Sequence, residues 1–345
     1  MNSYERYMAA ARGEPCDFLP RLPILMQYAA EHIGSNYGAF ASDYRVLTEA
    51  NLHCCEEFGI DQLNTMSDPY RETQGYGAEM IYSRDTVPRC KKHPLEDSKD
   101  LSALPRPNPL MAERMLDRVN AVRAYKQRAW GLYSIMGWVE GPAAEAADLR
   151  TVQQFMMDLI DEEQFIGELM DICVEVAIDF ARVQVEAGAD TIGIGDAVAS
   201  MVSPAIYMDL IQPREKRLVR ALHDMGAVAR MHICGNITHL LPGLADVKPD
   251  IIDVDWMVDL RKVREMMDKN TVICANLDPV RAVHNSNPVA IRQAVRGCYR
   301  AVGNPFMVNA GCEIPHGTPV KNLKALCEPL EYNGTAKLAS GMPGR

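Results

Sequence analysis

Short apolar runs recur along this chain, and the segments between them have the apolar spacing of helices. Eight runs have the length and residue types of β-strands, and they cover residues 22–26, 60–65, 130–136, 190–194, 228–233, 251–254, 272–275 and 306–309. The helix before the fourth strand has an apolar face that begins near Ile166, and Gly188 ends this helix. Ser203 and Pro204 predict the start of a further helix, with a kink at Pro213.

This alternation predicts an α/β fold, a (β/α)8 barrel of the TIM type, because neighbouring parallel strands need a crossover that is usually a helix. A doubly wound open sheet is the alternative, although no Gly-x-Gly-x-x-Gly motif follows the first strand. We expect one barrel domain over residues 1–332, with an N-terminal extension, and a disordered tail over 333–345. Prolines in the stretch 82–110 predict an excursion or short hairpin outside the barrel.

Polar side chains follow nearly every predicted strand. TIM barrels carry their active sites on the loops after the C-terminal ends of the strands, so these residues are the candidates for chemistry. They are Gln27, Tyr28, Asp68, Trp138, Glu140, Asp196, Ser200, His232, Cys234, Asp253, Asp255, Asn276, Asp278, Cys312 and Glu313.

The strongest chemical signal among them is His232-x-Cys234 together with the distant Cys312. Imidazole and thiolate ligands suit zinc, and a catalytic zinc usually has three protein ligands and one exchangeable position. Taken alone, His-x-Cys is a weak motif, but Gly235 and Gly311 beside the cysteines permit tight turns at both strand ends. The pattern therefore predicts a catalytic zinc site, and a structural or metal-storing zinc site with a fourth protein ligand is the alternative.

Composition narrows the possible partners and compartment. The chain has 345 residues with 36 basic and 46 acidic side chains, and its net charge of −10 argues against nucleic acid and anionic membranes as partners. We find no apolar run of transmembrane length and no signal-peptide pattern, so we expect a cytoplasmic protein. The ten cysteines are then expected to be reduced thiols rather than disulfides.

Five segments resemble the uroporphyrinogen decarboxylase superfamily, and in particular its cobamide-dependent methyltransferase branch. They are EAGAD at 186–190, SMVSP at 200–204, HICG at 232–235, NLDP at 276–279 and GCEIP at 311–315. The resemblance covers nearly the whole chain and implies a (β/α)8 barrel. It also implies zinc held by a His-x-Cys and a distant Cys, which correspond to His232, Cys234 and Cys312.

The resemblance implies transfer of a methyl group between a corrinoid (cobamide) protein and a thiol such as coenzyme M, through a zinc-activated thiolate. The alternative is a demethylase that moves a methyl group from a methoxylated or other donor to the corrinoid protein. Decarboxylases of the superfamily carry an Arg-Gln-Ala-Gly-Arg pattern where this chain reads LMQYAAE at 25–31, which argues against that activity. The chain lacks an Asp-x-His-x-x-Gly corrinoid-binding pattern, so a partner protein must supply the methylcobamide.

The remaining rim residues are assigned by position. Asp196 is a catalytic candidate that could orient substrate or a zinc ligand, and a loop cap for backbone amides is its alternative. Glu313 could approach the metal or accept a proton from an incoming thiol, against the alternative of a solvated carboxylate. Substrate-binding candidates, for which turn chemistry or packing is the alternative, are Tyr28, Ser200, Asp255 and Asn276.

Overall fold

A computed structural model describes residues 1–334, and its central feature is a parallel sheet of seven strands. The strands of this sheet are β1 Gln62–Asn64, β4 Ser134–Glu140, β5 Thr191–Gly195, β6 Val228–His232, β7 Ile251–Val254, β8 Val272–Leu277 and β9 Phe306–Ala310, and a separate antiparallel hairpin contains β2 Glu79–Ile81 and β3 Arg89–Lys92. The order along the sheet is β1-β4-β5-β6-β7-β8-β9, and every neighbouring pair is parallel.

An extended segment near Arg21 closes this sheet into a barrel. Arg21 forms a parallel bridge with Val308 of β9, and the amide of Leu22 donates to the Val308 carbonyl at 2.8 Å. On its other side, the amide of Asp61, just before β1, donates to the Arg21 carbonyl at 3.0 Å. Seven regular strands and this extended segment therefore occupy the eight strand positions of a (β/α)8 barrel.

Helices surround the barrel and connect its strands. They are α1 Ser3–Ala11, α2 Gln27–His32, α3 Tyr37–Ser42, α4 Tyr44–Phe58, α5 Arg71–Gly75, α6 Glu113–Ala129, α7 Pro142–Arg150, α8 Val152–Asp161, α9 Glu163–Ala187, α10 Pro204–Ile206, α11 Gln212–Asp224, α12 Leu241–Val247, α13 Leu260–Met266, α14 Pro288–Val302 and α15 Val320–Leu326. Within residues 1–334, no helix combines the length and hydrophobicity needed to cross a membrane.

The core has an outer layer between sheet and helices and an inner layer inside the barrel. Alternate residues of β6 show the division, because Ala229 and Met231 join the large outer cluster while Arg230 and His232 lie on the opposite face. Helix α1, the predicted N-terminal extension, covers the inner layer with Tyr7, whose hydroxyl lies 3.0 Å from Thr191 Oγ1. Helix α1 thus covers the end of the barrel where the strands begin, opposite the rim where they end.

The predicted barrel and the excursion are confirmed, and the differences lie in element boundaries. The hairpin β2–β3 occupies the predicted excursion and begins slightly earlier, at Glu79. The strand predicted over 130–136 was placed too early, because Gly131 with φ 74° turns the chain after α6. The segment predicted as a strand over 22–26 is not a regular strand: the bridge lies at Arg21, and the Ile24 carbonyl accepts from the Ile314 amide at 2.9 Å. The predicted tail lies outside the described residues except for residues 333 and 334.

The helix predicted from Ser203 is confirmed at its start, where the Ser203 hydroxyl accepts from the Ile206 amide at 3.3 Å. The expected kink at Pro213 corresponds to a change of helix type. A π-helical turn over Tyr207–Ile211 separates α10 from α11, and Pro213 occupies the first turn of α11. A proline at that position removes no hydrogen bond that the new helix needs.

Candidate metal centre

His232, Cys234 and Cys312 meet at the C-terminal rim of the barrel. His232 is the last residue of β6, and Cys312 follows the end of β9 by two residues. The distance from His232 Nε2 to Cys234 Sγ is 3.0 Å, and the two sulfurs are 3.6 Å apart. All three ligand atoms lie within 4.8 Å of one another. Residues from distant parts of the sequence thus present one compact set of donor atoms.

The orientation of His232 is fixed from the next strand. Asp253 of β7 lies with its Oδ2 3.0 Å from His232 Nδ1, and its Oδ1 accepts from Arg230 Nη2 at 2.9 Å. Burial opposes ionisation of this carboxyl, but Arg230 and His232 together lower the pKa of Asp253 to about 2. A carboxylate on Nδ1 favours the tautomer whose Nε2 lone pair is free, which is the arrangement that supports histidine as a metal ligand.

The two thiols are electrostatically unequal. A hydrogen bond from Cys234 outweighs burial and, with His232, lowers the pKa of Cys312 to about 4. The same pair interaction, with burial, raises the pKa of Cys234. The interaction between the two sulfurs and His232 therefore favours a thiolate on Cys312. Thiolate is the form in which cysteine binds a metal.

Asp255 joins the turns that carry the two cysteines. Its Oδ2 accepts from the Gly235 amide at 2.8 Å, and Gly235 has φ 93°, a conformation that favours glycine. A Cβ on Gly311 would lie 2.5 Å from Asp255 Oδ1, so the second turn tolerates only glycine at this approach. Asn276 donates to the Asp255 carbonyl at 3.2 Å and holds the loop from β8. Asp255 and Asn276 therefore contact the loops around the ligand-bearing turns. Their predicted contacts with substrate stay predictions.

Trp138 of β4 forms one wall of the centre. Its ring centroid lies 6.0 Å from that of His232, and its Nε1 donates to Glu140 Oε1 at 2.9 Å. A Cβ on Gly193 of β5 would lie 2.3 Å from the indole, so the intervening strand makes room for this ring. The indole is almost fully buried with Met66 and Met136 in the barrel interior. The centre therefore borders an apolar surface on its inner side.

Glu313 and Ser200 lie beside the cysteine turns. Glu313 Oε1 accepts from the amide of Gln27, the first residue of α2, at 3.0 Å. Burial raises the pKa of Glu313 to about 7, and the neighbouring Cys312 adds to this effect. A Cβ on Gly235 would lie 3.3 Å from Ser200 Oγ, which itself donates to the Ala197 carbonyl. Their predicted roles in catalysis and substrate binding stay predictions.

The side-chain contacts of Asp196 and Tyr28 differ from those of the cysteines, although the Asp196 amide donates to the His232 carbonyl at 3.0 Å. The Asp196 carboxylate accepts from the Ala144 amide at 2.7 Å in the first turn of α7, which is the contact of a backbone cap. Tyr28 stacks on His32 at 5.5 Å, and its buried hydroxyl has no hydrogen-bond partner among the described residues. Both positions satisfy packing and capping demands, and their functional roles stay predictions.

Sequence reasoning missed the role of Arg230. This buried guanidinium bonds Asp253 and also donates to Gln62 Oε1 at 2.7 Å, so it connects β6 to β1 across the barrel. The available signal was a charged residue two positions before His232 in an otherwise apolar strand. In a strand this spacing puts both side chains on the same face.

Replacing Asp196 by asparagine is expected to reduce the pH dependence of stability. Burial raises the pKa of Asp196 to about 7, whereas an unfolded aspartate titrates near ~3.9. The folded state therefore holds one extra proton between those values, and its free energy of unfolding falls as the pH rises through that window. The slope from this group is at most about 1.4 kcal/mol per pH unit. Denaturant unfolding at several pH values, followed by circular dichroism, measures it.

The amide oxygen that Asp196→Asn introduces can still accept from Ala144, so the variant should fold. Glu215 faces Asp196, and burial raises its pKa too, so the slope decreases without vanishing. Parallel stability curves for the two proteins would contradict the assignment of this proton to Asp196. A loss of activity with unchanged metal binding would instead support the predicted catalytic role.

The donor set at this rim fits zinc. Two sulfurs and one imidazole nitrogen are ligands that zinc prefers, and three protein ligands leave a position for substrate. The hydrogen bond of His232 to Asp253 supplies the outer contact typical of zinc-binding histidines.

Comparison with known proteins agrees with this architecture. The sequence profile described as uroporphyrinogen decarboxylase (URO-D) matches residues 2–331. The chain belongs to the uroporphyrinogen decarboxylase family. The predicted resemblance is thus confirmed, and its methyltransferase branch is represented among the relatives. A protein named methylcobamide:CoM methyltransferase MtbA, from Methanosarcina mazei, is 27% identical over 94% of this chain and 96% of its own length.

Decarboxylases are relatives too. A protein named uroporphyrinogen decarboxylase from Cupriavidus metallidurans is 23% identical and covers 98% of this chain and 97% of its own length. Among solved structures, a methyltransferase from Methanosarcina mazei superposes with a TM-score of 0.87 at 24% identity, over 94% of this chain and 97% of that one. This likeness establishes the family's barrel fold in the present chain.

Proposed function

We propose that this protein is a zinc-dependent methyltransferase that moves a methyl group between methylcobamide, carried by a corrinoid protein, and a thiol such as coenzyme M. The observation that carries the proposal is the convergence of His232 Nε2, Cys234 Sγ and Cys312 Sγ within 4.8 Å at the barrel rim. The name of the Methanosarcina mazei relative, methylcobamide:CoM methyltransferase, supports the corrinoid and the thiol.

Zinc bound there would act as a Lewis acid that lowers the pKa of a substrate thiol and so favours its nucleophilic thiolate. The protein's own residues prepare the site. Asp253 holds His232 with Nε2 towards the sulfurs, and Asp255 holds the Cys234 turn through the Gly235 amide and packs closely against Gly311. Trp138 limits water on the inner side of the site. With Trp138 on the inner side, a thiol and a corrinoid partner would approach the site from the solvent side.

Glu313 is the proposed acceptor of the thiol proton. It is adjacent to Cys312, and its Oε1 is held by the Gln27 amide. A carboxylate with a pKa near neutrality can accept a proton and return it to solvent at physiological pH. Glu313 would therefore have a proton-transfer role without needing to bind the metal.

Uroporphyrinogen decarboxylation has less support, although relatives carry that name. A substrate with many carboxylates needs cations at the pocket entrance. The segment that follows the extended first strand position has Gln27, Tyr28 and Glu31 and no arginine. A pair of cysteines with a carboxylate-oriented histidine has a clear use in thiol chemistry and no evident use in decarboxylation.

The proposal is tested with zinc-loaded protein, methylcobalamin and coenzyme M under anaerobic conditions. We expect loss of the methylcobalamin absorbance and formation of the S-methyl thioether, measured by mass spectrometry. Protein stripped of zinc should be inactive and should recover when zinc is restored. Failure with coenzyme M and other small thiols would refute the proposed direction. Methylation of cob(I)alamin from methoxylated or other methyl donors would then favour the demethylase.

A further inference from the structure

A second group of metal-ligand side chains lies on the outside of the barrel. His32 is the last residue of α2, and His53 and Glu57 are four residues apart on α4, which puts them on one face of that helix. His32 Nε2 is 2.7 Å from Glu57 Oε2, and His53 Nε2 is 3.7 Å from the same oxygen. One ligand atom from each residue lies within 4.8 Å of the other two.

Packing holds the His32 ring before any ligand arrives. The His32 ring stacks on Tyr28 with an interplanar angle of 16°, and its centroid lies 5.3 Å from that of Phe58. The His53 ring centroid is 5.4 Å from that of His32. Tyr28 and Phe58 are buried, whereas His53 remains half exposed. A packed imidazole on His32 and an exposed one on His53 therefore lie close together at a surface that solvent ions can reach.

We propose that His32, His53 and Glu57 form a second, exchangeable site for a divalent transition-metal ion such as zinc, which fastens α2 to α4. Two imidazoles and one carboxylate are a ligand set that zinc accepts, and water would complete the coordination. This site lacks thiolates and is open to solvent, so it should release zinc more readily than the cysteine centre. A fully loaded chain would carry two zinc ions of different lability.

Lys324 of α15 would compete with this ion for the Glu57 carboxylate. Its Nζ lies 3.2 Å from Glu57 Oε1, the carboxylate oxygen not bonded to His32. The hydrogen bond from His32, followed by that from Lys324, lowers the pKa of Glu57, so the carboxylate is ionised at neutral pH. A metal ion must share this carboxylate with the ammonium group. Removal of Lys324 should therefore strengthen metal binding, whereas removal of His53 should weaken it.

The experiment is a zinc titration of the full-length protein against a chromophoric chelator. We expect the wild-type protein to hold one tight and one labile zinc ion, and His53→Ala to weaken the labile ion more than about tenfold. Lys324→Met should tighten the labile ion severalfold. His223→Ala is the matched control, since the exposed His223 pairs with Asp250 at 2.9 Å without belonging to this ligand group.

Two results would overturn the second site. One is equal zinc binding by the wild-type protein and His53→Ala, and the other is no tightening in Lys324→Met. The outcome is independent of the cysteine centre, because Cys312→Ala should retain the labile ion. If the cysteine centre bound no zinc at all, the wild-type protein would hold only the labile ion, and His53→Ala would weaken it.

Discussion

Replacing Cys312 by alanine should remove the tightly bound zinc and methyl transfer together while leaving the barrel folded. Cys312 supplies one of three donor atoms, and without it only one imidazole and one thiol remain at the rim, too few to hold zinc tightly. Lewis-acid activation by a metal is worth several kcal/mol, so the rate should fall by more than about a thousandfold. Elemental analysis after passage over a mild chelator, together with the methylcobalamin assay, measures both losses.

Cys90→Ala provides the matched control. Cys90 is a half-buried thiol in the β2–β3 hairpin, outside the barrel, so its loss should change neither zinc content nor activity. Circular dichroism should show native secondary structure in both variants, because Cys312 is only half buried at the rim. Retention of tight zinc and activity in Cys312→Ala would exclude the assigned ligand set.

Replacing Asp253 by asparagine should weaken both metal binding and the fold. The substitution leaves Arg230 buried beside a neutral amide, and breaking a buried ion pair typically costs about 3–5 kcal/mol. It also removes the carboxylate that orients His232, which should lower zinc affinity by about 10–100-fold. Denaturant unfolding of the metal-free proteins and zinc competition with a chelator measure the two effects separately.

The double variant Arg230→Met, Asp253→Asn separates stability from metal positioning. Removing the stranded guanidinium should restore part of the lost stability, because apolar replacement of a buried ion pair is often tolerated. Zinc affinity should stay low, because no carboxylate is returned to His232 Nδ1. Recovery of zinc affinity along with stability would show that Asp253 acts only through the fold.

Two metal sites of different lability would change how zinc content is interpreted. Total zinc in a purified sample would include ions on His32, His53 and Glu57 as well as ions at the cysteine centre. The tight fraction alone reports on the proposed catalysis. Removing labile zinc before analysis therefore keeps the two proposals experimentally separate.

The sequence predicted the barrel well because its strands have short apolar runs bounded by turn residues. It placed the strand near Ser134 too early, since Trp130 and Leu132 are apolar but lie in the exposed turn after α6. It also read the segment after Arg21 as a full strand. That segment has strand-like residues, but its partners are the last strand and the chain just before β1, which only closure of the barrel brings together.

The sequence by itself determined the fold class and the candidate ligands His232, Cys234 and Cys312. Strand ends of a parallel barrel share one rim, so residue type and position after a strand are enough to select them. Only the tertiary structure decided which groups orient those ligands. The pairing of β6 with β7 puts Asp253 against His232, and the approach of two turns puts Asp255 between Gly235 and Gly311. Such contacts depend on strand register and on distances of a few ångströms, which a linear pattern of residues does not encode.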